Sequence, residues 1–458
     1  MSKITTDHLE SVEQGKSVDE AQWQAQFDPD LLRRVIRKLD GMVIPFICIT
    51  YLITYIDKAM MGYAAVFGLK EDLHLKGTEY SWLGSMFYFG YLAFEYPSVF
   101  AMQKLSVSKW LSANIFIWGG VTMALAACTH FQPFLGLRFL LGALESCSTP
   151  AYLLITATWY TIEEQPIRIG WWSTFLGIAN AFCGLLAFAI GHIHGDLASW
   201  QYQFIIIGAI SSAWGVFMFF TLADGPATAG WLTAEEKHIA INRLGPQHSG
   251  IRVSEIKMYQ IWEALTDPKT WFFFLCGVCT QVVNGAASNF GSLIIEGFGY
   301  SNLVTTLFQI PYGMVILVSN VSAMYIQRWL PGQKRCIVGA LYLTSTYTAS
   351  FALIMSLITA NTGGTTKRSV VNAIFFISYC VGNIIGPFAF KSDEAPQYTS
   401  GIIAMLVAYC VEIFLLLAFA VYAAHLNRKK NGIASRGNQR DIELDQTDME
   451  NVDFRYSY

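Results

Sequence analysis

Charged side chains are scarce in this 458-residue chain: Asp, Glu, Lys and Arg together make 14%, against about a quarter in a soluble domain. The formal net charge is -3, too small a field to draw in nucleic acid. The 9 cysteines are odd in number and fall mostly inside apolar runs, the pattern of buried thiols rather than a disulfide framework. No Gly-rich phosphate cradle occurs, so nucleotide-driven work lacks its machinery. Residues 1–30 carry Asp7, Glu10, Glu13, Asp19, Glu20, Asp28 and Asp30 but no basic stretch leading into an apolar core. No cleavable signal peptide is therefore expected, and the first apolar segment is expected to direct insertion.

What is present is apolar. Hydrophobic residues make 53% and aromatics 15%, and the mean hydropathy is +0.39. That composition disfavours a secreted protein, a cytosolic enzyme and a nucleic-acid binder. It implies an all-α polytopic membrane protein with many aromatic-rich interfaces. A crossing needs about 20 mostly apolar residues. Eleven such segments are expected, near 42–66, 80–102, 110–129, 132–159, 169–192, 200–222, 270–296, 303–327, 337–360, 370–390 and 401–426. They divide the chain into a polar tail (1–40), a six-helix bundle (41–222), a linker (223–269), a second bundle of about five helices (270–427) and a polar tail expected to be disordered (428–458). Within the linker, Thr233 and Glu236 form a capping box that opens a short helix, and 258–266 reads as a second, amphipathic one.

Lys and Arg in the loops set orientation. Arg33, Arg34, Arg37 and Lys38 place the N-terminus in the cytoplasm, and Lys104, Lys109, Arg168, the linker, Arg328, Lys334 and Arg335 follow the alternation. The pattern then breaks. Lys367 and Arg428–Lys430 also belong inside, but only the 31 residues 336–366 separate Arg335 from Lys367, too few for two full crossings at about 20 each. The expectation is a twelve-span plan that has lost most of one helix. The C-terminus is then external against the charge rule, or the region holds a half-length re-entrant pair.

The chain resembles the major facilitator superfamily, and within it the fungal allantoate-permease-like branch of the anion:cation symporters. The resemblance rests on Tyr55-Ile-Asp57-Lys58, Phe87-Tyr-Phe-Gly-Tyr-Leu-Ala-Phe-Glu95-Tyr-Pro97, Arg138-Phe-Leu-Leu-Gly142-Ala-Leu-Glu145 with Pro150, Trp159 and Tyr160, Glu163 to Arg168, Leu265 to Trp271, Asn361-Thr-Gly-Gly364 and Gly382-Asn-Ile-Ile-Gly386-Pro387. Thr365, Arg368 and Phe388 depart from the family pattern, and Arg335 runs almost directly into Leu341. The resemblance implies proton-coupled transport of a small organic anion (a carboxylate, ureide or vitamin-like acid) by a monomer in the plasma membrane.

Ionisable groups inside spans cost a few kcal/mol each and usually face a bundle interior or a water-filled cavity. Lys58 is a candidate to attract an anion, with Asp57 beside it to tune or neutralise it. Adjacent residues project about 100° apart, so the two face different partners. Arg138 and Glu145, seven apart, share a helix face: the fork suits a carboxylate, and Glu145 suits proton exchange. Glu95 is a candidate gate or proton-coupling residue, and Glu412 a weaker one. Gln281 and Asn284 with Ser288 form a polar stripe, and Asn284, Gln281, Asn361 and Asn383 are candidate substrate contacts. The Cys276–Cys279 pair and the His192, His194 and Asp196 group read as neither redox nor metal centres. No cofactor is called for. Two other readings stay open: a non-transporting remnant or sensor lacking a helix, and a membrane-embedded enzyme, for which no convergent nucleophile and base can be assembled.

Overall fold

The computed structural model describes residues 29–161, 164–193, 195–244, 257–329, 347–434, 445–451 and 453–457, and among these residues it is helical with no strands. The first half runs α1 (Pro29–Val66), the short α2 (Leu69–Asp72), α3 (Glu79–Lys104), α4 (Val107–Leu125), α5 (Phe131–Glu145), α6 (Ser148–Trp159), α7 (Gln165–Gly191) and α8 (Ser199–Thr221). The linker contributes α9 (Ala234–Asn242) and α10 (Met258–Thr266). The second half is α11 (Pro268–Gly297), α12 (Asn302–Leu307), α13 (Gln309–Trp329), α14 (Tyr347–Asn361), α15 (Thr365–Ile385) and α16 (Thr399–Ala434). Among the described residues 7 helical stretches are long and apolar enough to cross a bilayer.

Local chemistry explains where helices begin and break. The first helix starts at Pro29, well before the expected residue 42. Proline's fixed φ suits a first turn, and the basic stretch Arg33–Lys38 buries Val35 while Leu39 is buried just beyond it. The expected span 132–159 is two helices, parted just after Glu145. Pro150 has no N–H to donate to the carbonyl of residue 146, so the ladder is interrupted there. The α15 helix ends where Gly386–Ala389 tighten into a 3-10 turn around Pro387.

Two apolar cores result: a larger one built around Trp118, Phe134, Tyr152, Trp159 and Phe204 that extends into the second half through Phe290 and Phe390, and a second around Phe273, Ile354, Ile358, Phe375 and Phe419. At the end away from the linker the halves are joined. Tyr80 donates to the Asn289 carbonyl at 2.8 Å, Ser81 to Pro387 at 3.0 Å, Ser85 to Ile384 at 2.8 Å and Asn302 to Val66 at 2.8 Å. The rings of Tyr80, Phe290, Phe390 and Tyr398 pack into one cluster there. The small-residue face of α7 lies against α12 and α13: Gly191 faces Leu303, Gly184 faces Thr306 and Gly177 faces Leu317.

The linker is divided between the halves. α9 belongs to the first: Lys38 pairs with Glu236 at 2.6 Å, and Arg243 meets Glu164 at 2.9 Å and the Trp159 carbonyl at 2.7 Å. α10 belongs to the second, where Glu263 pairs with Lys367 at 2.9 Å and Gln260 accepts the backbone N–H groups of Thr366 and Lys367.

The C-terminal segment departs from the disordered polar tail expected over 428–458. α16 continues to Ala434, and Asp448 is fully buried. It bonds Lys269, pairs with Lys367 at 2.8 Å and accepts the Tyr456 hydroxyl at 3.0 Å, with Asp267 completing the cluster against both lysines. Lys257 reaches Asp445 at 3.1 Å, and Asn427 bonds the Tyr456 carbonyl at 2.8 Å. Two buried ammonium groups need this carboxylate, which is why an acidic tail docks rather than stays in water. It also places Lys367 and the end of α16 at the same end as the linker, as the charge rule requires. Whether a helix is missing rests on residues 330–346, which lie outside the described residues.

Burial alone would raise the Asp448 carboxyl, but the Lys269 and Lys367 ammonium groups outweigh it and hold it below the usual carboxylate range. A depressed carboxylate stabilises docking above its ordinary titration range and loses that contribution as pH falls through its lowered value. Asp448→Asn is expected to weaken docking by about 3 kcal/mol and to expose residues 445–457 to protease at neutral pH. Equal protection in both proteins contradicts the assignment.

Candidate substrate site

Charged side chains of α1 and α5 meet inside the first half, with α3 and α4 packed against them. Lys58 on α1 pairs with Glu145 at 2.6 Å, the lysine partly open and the glutamate buried. Glu145 Oε2 has no hydrogen-bond partner among the described residues. Asp57, one residue earlier, points to α4 and accepts Trp118 Nε1 and Thr122 Oγ1, each at 3.1 Å. The 100° offset between neighbours thus sends them to different partners. Asp57 is fixed to a helix and does not neutralise Lys58 by direct contact, as the sequence reading allowed.

Arg138 on α5 is buried. Its Nε donates to the Leu83 carbonyl at 3.1 Å, while Nη1 has no partner among the described residues. The guanidinium lies 5.4 Å from the Phe87 ring centre and Lys58 Nζ lies 5.6 Å from it, so both cations pack against one aromatic ring. Asp57 lies within electrostatic reach of Arg138. The site therefore holds two acids and two bases, and its formal charge cancels.

The second half supplies amides. Asn284 Nδ2 donates to Gln281 Oε1 at 2.9 Å and Asn383 Oδ1 at 3.0 Å, and Asn383 Nδ2 donates to Gln281 Oε1 at 2.9 Å. Three of the four candidate amides thus form one cluster across α11 and α15. Asn361 does not join it. It sits at the linker end, bonded to the Leu357 carbonyl at 2.9 Å and to the Ser457 backbone N–H at 2.7 Å. Glu95 is buried one turn beyond Tyr91 toward the linker end and makes no ion pair among the described residues.

Aromatic rings fill the space between these groups, and the sequence reading did not single them out. Tyr379 of α15 lies 5.8 Å from Tyr88 and 5.9 Å from Tyr91, bridging the halves. Tyr51, Tyr152 and Trp172 form a second cluster with centroids 5.4–6.0 Å apart. One signal was available: Gly84, Tyr88, Tyr91 and Glu95 follow at spacings of four, three and four, one face of a helix.

Two helical halves joined by a linker, with charged groups inside one and an amide cluster inside the other, fit a two-bundle membrane transporter. The Major Facilitator Superfamily model matches residues 47–408, and the chain belongs to that family. It is 36% identical to an uncharacterized transporter of Schizosaccharomyces pombe, covering 93% of this chain and 87% of that one. It is 33% identical to the allantoate permease of Saccharomyces cerevisiae, covering 98% and 90%, and 32% identical to an MFS-type transporter of Penicillium expansum, covering 93% and 88%. Among solved structures, a bacterial homolog of the human lysosomal transporter Spinster superposes with a TM-score of 0.58 at 13% identity, covering 86% of this chain and 97% of that one. The proton:xylose symporter superposes with a TM-score of 0.58 at 13% identity, covering 82% and 95%. The protein is thus an integral-membrane, multi-pass transporter of small molecules and not an enzyme.

Proposed function

We propose that the protein carries a small organic anion together with protons, by alternating access, as a monomer in the plasma membrane with its N-terminus in the cytoplasm. The observation that carries this reading is the buried Lys58–Glu145 pair at 2.6 Å inside a site whose two acids and two bases cancel. An anion bound at Lys58 competes with Glu145 and adds one negative charge to a poorly solvated space. A proton taken up by Glu145 restores the balance and releases Lys58 to the anion. Binding of anion and proton is thus mutually favourable, which is the linkage a symporter needs. Arg138 Nη1, buried and without a partner among the described residues, is the second anchor for a carboxylate, and Gln281, Asn284 and Asn383 orient the substrate from the other half. Glu95 lies on the route from the site toward the linker end and serves as a gate or relay.

Organic-anion chemistry is also suggested by a relative named allantoate permease, and proton coupling by a fold neighbour titled a proton:xylose symporter. With the linker in the cytoplasm, the hydrogen bonds at the far end close the site to the outside. The separate docking of α9 and α10 lets each half carry its own part of the linker as it rocks.

Glu145→Gln tests the reading. Glutamine cannot take up the coupling proton or hold Lys58 by charge, so exchange of labelled anion across proteoliposomes is expected to persist. Accumulation driven by an imposed pH gradient is expected to fall well below the wild-type level. Full pH-driven accumulation by the variant refutes the assignment. The labelled substrates are a panel of small carboxylates and ureides.

A further inference from the structure

Glu412 lies inside the second half, on α16, fully buried. Its carboxyl makes one polar contact among the described residues: Oε1 is 2.6 Å from Thr280 Oγ1 on α11. Oε2 has no partner among them. Among the described residues, the titratable groups within electrostatic reach of it are Cys279 of α11 and Tyr409 of its own helix, neither a cation. Along the same α11–α16 seam lie Phe273, Cys276, Leu416 and Phe419.

Counting hydrogens settles what this geometry demands. Thr280 Oγ1 is also 2.9 Å from the Cys276 carbonyl oxygen, one turn back. A threonine hydroxyl has one hydrogen, and a carbonyl oxygen only accepts. If the hydrogen goes to Cys276, the 2.6 Å contact needs a hydrogen from Glu412. If it goes to Glu412, an ionised carboxylate is left in an apolar seam with one hydrogen bond, one bare oxygen and no counter-charge among the described residues, and a buried group in that position neutralises instead. Either way the group is a carboxylic acid. Its partner Thr280 immediately precedes Gln281 of the central amide cluster, so the acid abuts the helix segment that lines the substrate site.

We propose that Glu412 is a second proton-binding site, in the opposite half from Glu145, and that it exchanges its proton once per transport cycle. The cyclic use rests on the symport reading above; the protonated state does not. The proton arrives from water, forms the O–H bond of the acid, and returns to water on the other side. Charge balance at Lys58 needs one proton per anion. A further proton at Glu412 makes each cycle carry net positive charge inward.

Two measurements test this. Infrared spectra of the purified full-length protein at neutral pH are expected to show a carboxylic-acid C=O band that Glu412→Gln removes and Thr280→Ala shifts to higher frequency. This readout needs no substrate, so it stands if the symport reading fails, and absence of the band overturns the proposal. In proteoliposomes given the same carboxylate and ureide panel, wild-type uptake is expected to accelerate severalfold under an inside-negative potential. Glu412→Gln, isosteric with the neutral acid, is expected to remain pH-driven but to lose that response. A wild-type protein indifferent to potential, or a Glu412→Gln variant that keeps the response, overturns the proposal. If Glu412→Gln fails to fold, the Thr280→Ala band shift decides the protonation state.

Discussion

Lys58→Ala is expected to abolish saturable uptake, lowering it by more than about 100-fold, because truncating the charged partner of a bound group in a poorly solvated site costs about 2–5 kcal/mol of binding. Two losses combine. The anion loses the one partly open cation of the site, and Glu145 keeps a buried carboxyl with no ammonium group beside it. The protein is expected to fold, since Glu145 can neutralise itself by binding a proton. Lys58→Arg keeps the charge but replaces a point charge on a flexible stem with a planar fork, and is expected to retain part of the activity with altered affinity. Radiolabelled uptake against the carboxylate and ureide panel reads both variants. Wild-type uptake by Lys58→Ala removes lysine from the binding role and leaves the Lys58–Glu145 pair as a structural link between α1 and α5.

Gly142→Ala is expected to cause the largest loss of stability. α3 and α5 approach through a reciprocal pair of glycines. A Cβ on Gly142 would lie 1.8 Å from the Phe87 carbonyl oxygen, and one on Gly90 would lie 1.9 Å from the Phe139 carbonyl oxygen. Those neighbours are backbone, which cannot swing aside, so the helices must part. Overpacking costs about 1–3 kcal/mol and sometimes more. The strain also falls on the site, because α3 carries Phe87 and Tyr91 while α5 carries Arg138 and Glu145. Either substitution is expected to lower the Tm of the detergent-solubilised protein by several degrees and to reduce uptake in parallel. Gly120→Ala and Gly136→Ala are the controls, since nothing lies within 4 Å of a Cβ at either position. A Gly142→Ala protein with unchanged Tm contradicts the close approach.

Much of this was legible in the sequence. The apolar runs identified the class, and the motifs around Asp57-Lys58 and Arg138–Glu145 named the charged residues that the structure brings together in the first half, because charge inside a span is costly enough to stand out. The polar stripe through Gln281 and Asn284 named two of the three amides of the cluster for the same reason. Other features follow from tertiary neighbours. Asn361 looked like Asn383 in sequence; only packing separates the amide at the linker end from the amide at mid-span. The aromatic bridge between Tyr88, Tyr91 and Tyr379 was hidden because aromatic residues are common throughout the chain. The tail around Asp448 reads as a solvated acidic segment until Lys269 and Lys367 are seen as two buried cations in need of a partner. Glu412 stood out as an ionisable residue in an apolar run, but its hydrogen accounting depends on Thr280 from a helix 132 positions earlier.

The most direct test of the coupled site is the lumenal pH of proteoliposomes when an organic anion is added outside. With wild-type protein, uptake of the labelled anion is expected to acidify the lumen in step with its entry, and Glu145→Gln is expected to lower the acidification per anion taken up. Anion uptake by the wild type with no accompanying acidification contradicts the account, because the charge brought to Lys58 would then be balanced by something other than a proton.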